Sequence, residues 1–218
     1  MFSSVRPKYT RKLGKMAALT AATTIALGTL AATPASAADP EEFPVTFAVT
    51  GSTVVKKTGS TVNLGPGKLD GAIVIDGDNV GIRGDLSLPP STANISLASG
   101  IFWIKATIKV VPAGPISGVI ANGDLVTHAS VNMEISDIRV GLIVPIIPLP
   151  TVPNSCKTVS PISMDLITKN VDLFAPTITQ TGTYTIPSFK DCFIADLALG
   201  AMVSGPGNTI SLNLTSTV

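Results

Sequence analysis

The sequence predicts an all-β fold: a single antiparallel β-sandwich or flattened barrel of about ten to twelve strands, with one short helix near the C-terminus. Three observations lead to this prediction. Apolar and polar residues alternate with a period of two along much of the chain, as in strands with one dry and one wet face. Charged residues are few, at 13%, whereas Val, Ile, Thr, Gly and Pro are abundant. Turn signals recur roughly every 8 to 12 residues, which favours a sandwich or barrel over a parallel α/β design.

Residues 1–37 have the features of a secretory signal peptide. Basic residues precede an apolar run at 16–32, and the small-x-small motif Ala35-Ser36-Ala37 follows it. A membrane anchor is the alternative, but a run of about 17 residues lies at the lower limit for a spanning helix. No arginine pair precedes the run, which favours Sec-type export. We therefore predict cleavage after Ala37, a single domain at 38–218, an extracellular or cell-envelope location, and no transmembrane helix after cleavage.

The charge balance of the exported chain excludes one class of partner. Removing 37 of the 218 residues leaves 181, with ten basic and fourteen acidic residues and a net charge of −4. The sequence shows no basic patch and no interleaving of aromatic and basic residues, so we expect no nucleic-acid binding. A chain of this length can bury a substantial core without metals.

Hairpins account for the N-terminal half of the exported chain. Asp76-Gly77 and Asn122-Gly123 supply the positive φ angles that tight hairpin turns require, and Gly65-Pro66-Gly67 is expected to break the chain. Asp76 and Asp78 have the spacing of calcium ligands, but no further acid completes such a loop, so the turn is the preferred interpretation. Alternation predicts strands at 44–50, 52–57, 60–64, 72–75, 80–88, 94–98, 102–111 and 117–121.

The most strongly patterned stretch is 124–144. Its apolar residues occupy odd positions up to Ile135 and even positions from Ile138 onward. A change of parity would turn every later side chain to the wrong face, so Ser136-Asp137 must form a bulge or tight turn. Four prolines at 145–153 then predict an extended loop. Strands follow at 162–166, at 177–186 with threonine at every odd position, and at 208–218, and helical spacing predicts a helix at 193–203.

Two cysteines, Cys156 and Cys192, remain in the exported chain. An even number of cysteines in an exported protein predicts a disulfide. A pair of free thiols, or half of a metal site, is the alternative, but His and Cys companions are lacking nearby. We therefore predict a Cys156–Cys192 disulfide and no metal site.

Two apolar clusters are candidates for ligand binding. Phe102 and the only tryptophan, Trp103, begin a long strand, and Ile146, Ile147 and Leu149 lie among the prolines. The aromatic pair could form the rim of an apolar pocket, although a core or edge position is the simpler interpretation. The proline segment needs cover from the domain or from a partner.

The sequence offers little catalytic chemistry. A Ser-His-acid triad would have to use His128, the only histidine, which lies on the polar face of its strand, and no G-x-S-x-G elbow is present. Paired carboxylates for glycoside hydrolysis remain open among four acids, but nothing singles them out. We predict no catalytic residues, no cofactor and no enzymatic activity, an unrecognised hydrolase being the alternative. The four acids are Asp124, Glu134, Asp137 and Asp165.

Three segments together resemble a group of exported actinobacterial proteins: KATIKVVPAGPISGVI (105–120), TGTYTIPSFKDC (181–192) and VSGPGNTISLNL (203–214). The resemblance implies export and a Gram-positive, high-GC source. It carries over no functional residues.

Three functions suit such a chain. The first is a non-catalytic cell-envelope protein that binds a lipid or another apolar ligand between its sheets, which the apolar fraction of 45% and the proline segment favour. The second is a structural or adhesive surface module with a cell-wall or surface partner. The third is a channel-forming β-barrel. Such barrels carry girdles of aromatic residues at the membrane interfaces, and this chain has few aromatic residues from which to build them. We rank them in that order.

Overall fold

The computed structural model describes residues 39–97, 102–142, 146–148, 156–193 and 195–217. Within these ranges thirteen antiparallel strands form one sheet, and one short helix lies near the C-terminus. This confirms the predicted all-β class. In chain order the elements are β1 (Glu41–Val55), β2 (Ser60–Asp76), β3 (Asn79–Ser87), β4 (Ser91–Leu97), β5 (Phe102–Pro112), β6 (Ile116–Ala121), β7 (Asp124–Leu142), β8 (Ile146–Pro148), β9 (Lys157–Thr158), β10 (Ile162–Thr168), β11 (Thr177–Ile186), β12 (Phe189–Lys190), α1 (Ala195–Met202) and β13 (Gly205–Ser216).

The sheet closes on itself in a ring. Its strands run in the order β10-β11-β13-β1-β2-β3-β6-β7-β5-β4, and a further pairing between β10 and β7 joins the two ends of the first eight. The β4–β5 hairpin continues the sheet beyond β7 and also contacts β2. The apolar faces of these strands therefore meet in one interior. Three strands of two or three residues, β8, β9 and β12, raise the number above the ten to twelve expected, because periodicity cannot reveal such short elements.

The long strand β7 belongs both to the eight-stranded ring and to the extension of the sheet formed by β5 and β4. Its first half pairs with β6 and β10 inside the ring, and its second half pairs with β5, β8 and β9. The predicted bulge lies within the part of β7 that pairs with β5: Asp137 has a φ of 50° there, and the register with β5 shifts. Ile135 and Ile138 are both buried. The extra residue thus keeps the apolar side chains on the inner face despite the change of parity.

Two local predictions were wrong. Gly65-Pro66-Gly67 does not break the chain: β2 continues through it, and β1 and β2 instead shift register between Val49 and Gly51. Glycine is needed in this segment because a Cβ on Gly67 would lie 2.4 Å from the Ser87 carbonyl oxygen. In the proline segment, Ile146–Pro148 forms β8 against β7 rather than a loop, since an edge strand tolerates proline. The rest of that segment lies outside the described residues.

The predicted disulfide is present. The sulfur atoms of Cys156 and Cys192 are 2.14 Å apart, and both residues are fully buried. The Cys156 carbonyl accepts a hydrogen bond from the Ile135 amide, and the Cys192 amide donates to the Asp196 side chain in the first turn of α1. The bond therefore ties the chain beside β7 to the start of the helix.

Candidate ligand-binding cavity

The ring and the β4–β5 hairpin enclose an apolar cavity of about 90 Å³. Side chains from nearly every long strand reach it because alternate residues of each strand point inward. Leu199 and Val203 bring α1 and the residue after it into the wall. The other lining residues are Val49, Thr53, Val55, Val62, Leu64, Leu69, Leu86, Leu88, Ala93, Ile95, Ile104, Ala106, Ile108, Val110, Ile116, Thr127, Ala129, Val131, Met133, Ile135, Ile162, Met164, Leu166, Gln180, Tyr184, Ile186, Ile210, Leu212 and Leu214.

The size of this cavity limits what it can hold. Pockets for drug-sized ligands occupy about 300–1,000 Å³, whereas an engineered apolar cavity of about 150 Å³ stays dry and binds benzene. The cavity described here, at about 90 Å³, is smaller than both. It suits a small hydrocarbon or part of one alkyl chain rather than a bulky ring system.

Four polar side chains interrupt the apolar wall, in two hydrogen-bonded pairs. The Oγ1 of Thr53 lies 2.6 Å from the Oη of Tyr184 and donates to the Thr209 carbonyl oxygen at 2.8 Å. The Nε2 of Gln180 donates to the Oγ1 of Thr127 at 2.7 Å. Gln180 and Thr127 are 2% and 1% exposed. Because Gln180 and Tyr184 are four residues apart on β11, the two pairs are separated by roughly 13 Å along the strand.

The buried Tyr184–Thr53 pair makes the stability of the protein depend on pH in the alkaline range. Burial raises the pKa of the Tyr184 phenol, and the hydrogen bond with Thr53 opposes that shift to a smaller extent. An unfolded tyrosine loses its proton near about pH 10, where the folded chain still holds it. The stability that this group contributes is therefore complete below about pH 10 and is lost as the pH rises through the folded pKa.

We expect the free energy of unfolding to fall above about pH 10, and to fall less steeply in Tyr184→Phe. Tyr184 is the only tyrosine of the chain that the predicted cleavage after Ala37 leaves, so near-ultraviolet tyrosinate absorbance of that chain reports its titration directly. Denaturant unfolding at several alkaline pH values measures the slope. Identical slopes in the two chains would contradict the assignment.

The structure places four of the five predicted ligand-binding residues on strands that pair with β7. Trp103 of β5 pairs with Gly141, which pairs in turn with Ile146 of β8, and Ile147 pairs with Val140. A Cβ on Gly141 would lie 2.3 Å from the Trp103 ring, so the half-buried indole lies directly over the β7 backbone. Trp103 is not among the lining residues of the cavity. Leu149 and the side chains of Phe102, Ile146 and Ile147 lie outside the described part of the structure, and the predicted rim remains a prediction.

A second, open groove of about 890 Å³ lies on the outer face. Hydroxyl-bearing residues of β1, β10, β11 and β13 line it, together with His128 and Asp165, whose Nδ1 and Oδ1 atoms are 2.9 Å apart. Both side chains are more than half exposed. Among the described residues, no serine hydroxyl hydrogen-bonds to His128, so the groove holds a histidine–acid pair without a bonded nucleophile.

The four acids considered for glycoside hydrolysis have separate partners. Asp124 bonds Lys169, a hydrogen bond that lowers the pKa of its carboxyl group, and Glu134 lies 3.3 Å from Lys109. Asp165 bonds His128, and the bulge holds Asp137. In the described ranges no three His, Cys, Asp or Glu side chains group as metal ligands.

Comparison with protein-family models, with curated proteins and with solved structures finds no match for this chain. Within the described residues, no helix has the length and apolar character needed to cross a bilayer.

The sequence contained a signal for the cavity's polar pairs that periodicity alone did not use. Gln180 occupies the apolar parity of β11, between Ile178 and Tyr184, and Thr127 occupies the apolar parity of β7, between Leu125 and Ala129. A polar side chain that faces the interior with an apolar row must form a hydrogen bond with another buried group. The pairing itself depends on how distant strands meet, which the sequence does not show.

Proposed function

We propose that this protein is a non-catalytic exported protein that holds an apolar chain, such as part of a lipid, inside its ring of strands. The observation that carries the proposal is the apolar cavity inside the ring. At about 24 cal/mol per Å³, an empty space of 90 Å³ costs about 2 kcal/mol of stability. Small domains are only marginally stable, so ligand binding explains a cavity of this size better than poor packing does. The buried disulfide supports an oxidising, extracellular setting.

The distribution of polar residues favours this proposal over a channel. Water-filled pores have polar interiors and an apolar outer band. Here the interior is apolar, and the outer face of β11 carries exposed threonines at every odd position.

Ala129→Leu tests the proposal because Ala129 is buried and lines the cavity. We expect the exported wild-type chain, purified without detergent, to carry an apolar molecule that solvent extraction and mass spectrometry detect. We expect at least tenfold less of it on Ala129→Leu, because the added carbons occupy the space. Ala113→Leu, at an exposed position, is the matched control and should behave like wild type.

Lipid-free wild-type protein that also fails to bind added hydrocarbons would contradict ligand binding. The structural or adhesive module would then be the better proposal, and the hydroxyl-rich outer groove is the observation in its favour. In that case capture on cell-wall material should be equal for wild type and Ala129→Leu.

A further inference from the structure

We propose that the outer groove is a second binding site, which takes an extended, neutral glycan through side chains on neighbouring strands. The groove lies on the opposite face of the sheet from the cavity. This inference therefore goes beyond the apolar-ligand function and does not depend on it. Its support is the arrangement of hydroxyl groups without protein partners, the pairing of the charged groups and the aliphatic side chains beside them.

One row of polar side chains crosses the groove at right angles to the strands. Strand pairing places Thr209 of β13 opposite Thr183 of β11, and Thr183 opposite Asp165 of β10. Asp165 is in turn opposite His128 of β7. All four residues line the groove and are exposed. Because neighbouring strands lie about 4.8 Å apart, this first row extends over roughly 14 Å.

A second row lies two residues along the same strands, about 6.7 Å from the first. In this row Ser211 of β13 pairs with Ser52 of β1 and with Thr181 of β11. Thr181 pairs with Ile167 of β10, whose side chain is 37% exposed. These four residues also line the groove. The two rows together form a grid of polar groups with an aliphatic side chain at one corner.

The hydroxyl groups of this grid differ from those farther along the same strands. Outside the groove, side-chain oxygens of Thr177 and Thr215 lie 3.2 Å apart, and Thr179 donates to Asn213 at 2.9 Å. In the described part of the chain, the five serine and threonine hydroxyls of the two rows make no hydrogen bond to another protein group. Each hydroxyl has one donor and two acceptor positions, so the grid can bond a ligand that is itself rich in hydroxyls.

The ionisable groups of the groove are already paired. The Nδ1 of His128 lies 2.9 Å from the Oδ1 of Asp165, and Lys169 donates to the carboxylate of Asp124. No other ionisable residue is among the described residues that line the groove. An ionised ligand would have to compete with these pairs, whereas a neutral sugar needs only the hydroxyl groups. This favours a neutral ligand.

The shape and the apolar part of the groove favour a glycan over a protein segment. Ile167 and the half-buried Val54 line the groove and offer aliphatic contacts to the C–H groups of a sugar ring. A strand of another protein would instead pair with the backbone at the edge of a sheet. The two straight rows match a chain of sugar units that lies extended across the strands.

The experiment measures binding by proton NMR of the imidazole of His128, which is the only histidine of the chain and lies in the first row. The probes are the neutral hexasaccharides cellohexaose and chitohexaose, and the anionic sugar hexagalacturonate. We expect at least one neutral hexasaccharide to shift the imidazole resonances in proportion to occupancy. We expect hexagalacturonate at the same concentrations to leave them unchanged.

The double variant Thr183→Val/Thr209→Val removes two hydroxyls of the first row. Both positions are exposed, and valine keeps the β-branched shape that suits a strand. We expect its affinity for the neutral hexasaccharide to be at least fivefold lower than that of wild type, because two hydrogen bonds to the ligand are lost. Thr177→Val/Thr215→Val, on the same two strands but outside the groove, is the matched control and should bind as wild type does.

The outcomes test this site separately from the cavity. Absence of a shift with both neutral hexasaccharides would overturn the proposal, as would equal affinities of the two double variants or binding of hexagalacturonate as tight as that of the neutral sugars. Ala129→Leu, which fills space inside the ring, should bind the sugar as wild type does, so a failure of the apolar-ligand function leaves this result unchanged. If Thr183→Val/Thr209→Val does not fold, Thr183→Val and Thr177→Val make the same comparison.

Discussion

Replacing both cysteines with alanine is expected to lower the free energy of unfolding by about 4 kcal/mol. The bond closes a loop with a sequence separation of 36 residues, and opening that loop restores conformational freedom to the unfolded chain. The loss is large beside the 5–15 kcal/mol typical of whole domains. Denaturant unfolding of Cys156→Ala/Cys192→Ala and of wild type measures it.

Reductant provides the control for this prediction. Wild type unfolded in the presence of a thiol reductant should have the stability of the double variant, because both then lack the crosslink. The double variant should not respond to reductant at all. A wild-type chain whose stability stays within about 1 kcal/mol of the double variant's would show that the crosslink adds little beyond packing.

Periodicity predicted the parts of the fold that depend on local pattern. The inner and outer faces of β11, the bulge at Ser136-Asp137 and the turn at Asn122-Gly123 all follow from residues close together in sequence. The disulfide followed from the number of cysteines and the predicted export. Each of these features follows from local pattern or from composition, and each is present in the structure.

The closure of the ring could not be predicted in the same way. It depends on β10 pairing with the first half of β7, and nothing in either pattern specifies that partner. The cavity depends in turn on the closure, since its volume is what the inward side chains of distant strands leave unfilled. The predicted site was placed on an aromatic pair and a proline-rich segment. The cavity wall is instead formed by the inward-facing residues of the alternating strands.

The segment SGPGNT shows how a distinctive motif can have a structural explanation. Gly205 and Gly207 have φ angles of 147° and 82°, which favour glycine, and Ser204 donates to the Pro187 carbonyl. Asn208 is 1% exposed and pairs with Tyr184 of β11, next to the register shift between β11 and β13. The motif therefore positions the entry into β13, and its asparagine has a bonding role that sequence reasoning left unassigned.

Asn208→Ala is expected to lower the free energy of unfolding by about 3 kcal/mol. The Oδ1 of Asn208 accepts from the Lys56 amide at 3.0 Å, and its Nδ2 donates to the carbonyl oxygens of Tyr184 and Gly205 at 3.2 and 2.8 Å. One side chain thus satisfies backbone groups from the β1–β2 turn, from β11 and from the start of β13. Alanine leaves all three backbone groups without that partner; the bond to Tyr184 is buried and the other two are part-buried, and a buried group left unpaired costs about 1–3 kcal/mol.

Asn213→Ala on the same strand is the matched control, because Asn213 is only half-buried and accepts one hydrogen bond, from the Thr179 hydroxyl, at an exposed position. We expect it to change stability by no more than about 0.5 kcal/mol. Denaturant unfolding of the two variants under identical conditions gives the comparison. If the two substitutions cost the same, Asn208 does not hold the three segments together, and the junction would have to be stabilised by strand pairing alone. If Asn208→Ala alone is costly, the junction between β1, β11 and β13 depends on a single amide, and that part of the ring is set by side-chain bonding as well as by the ladder.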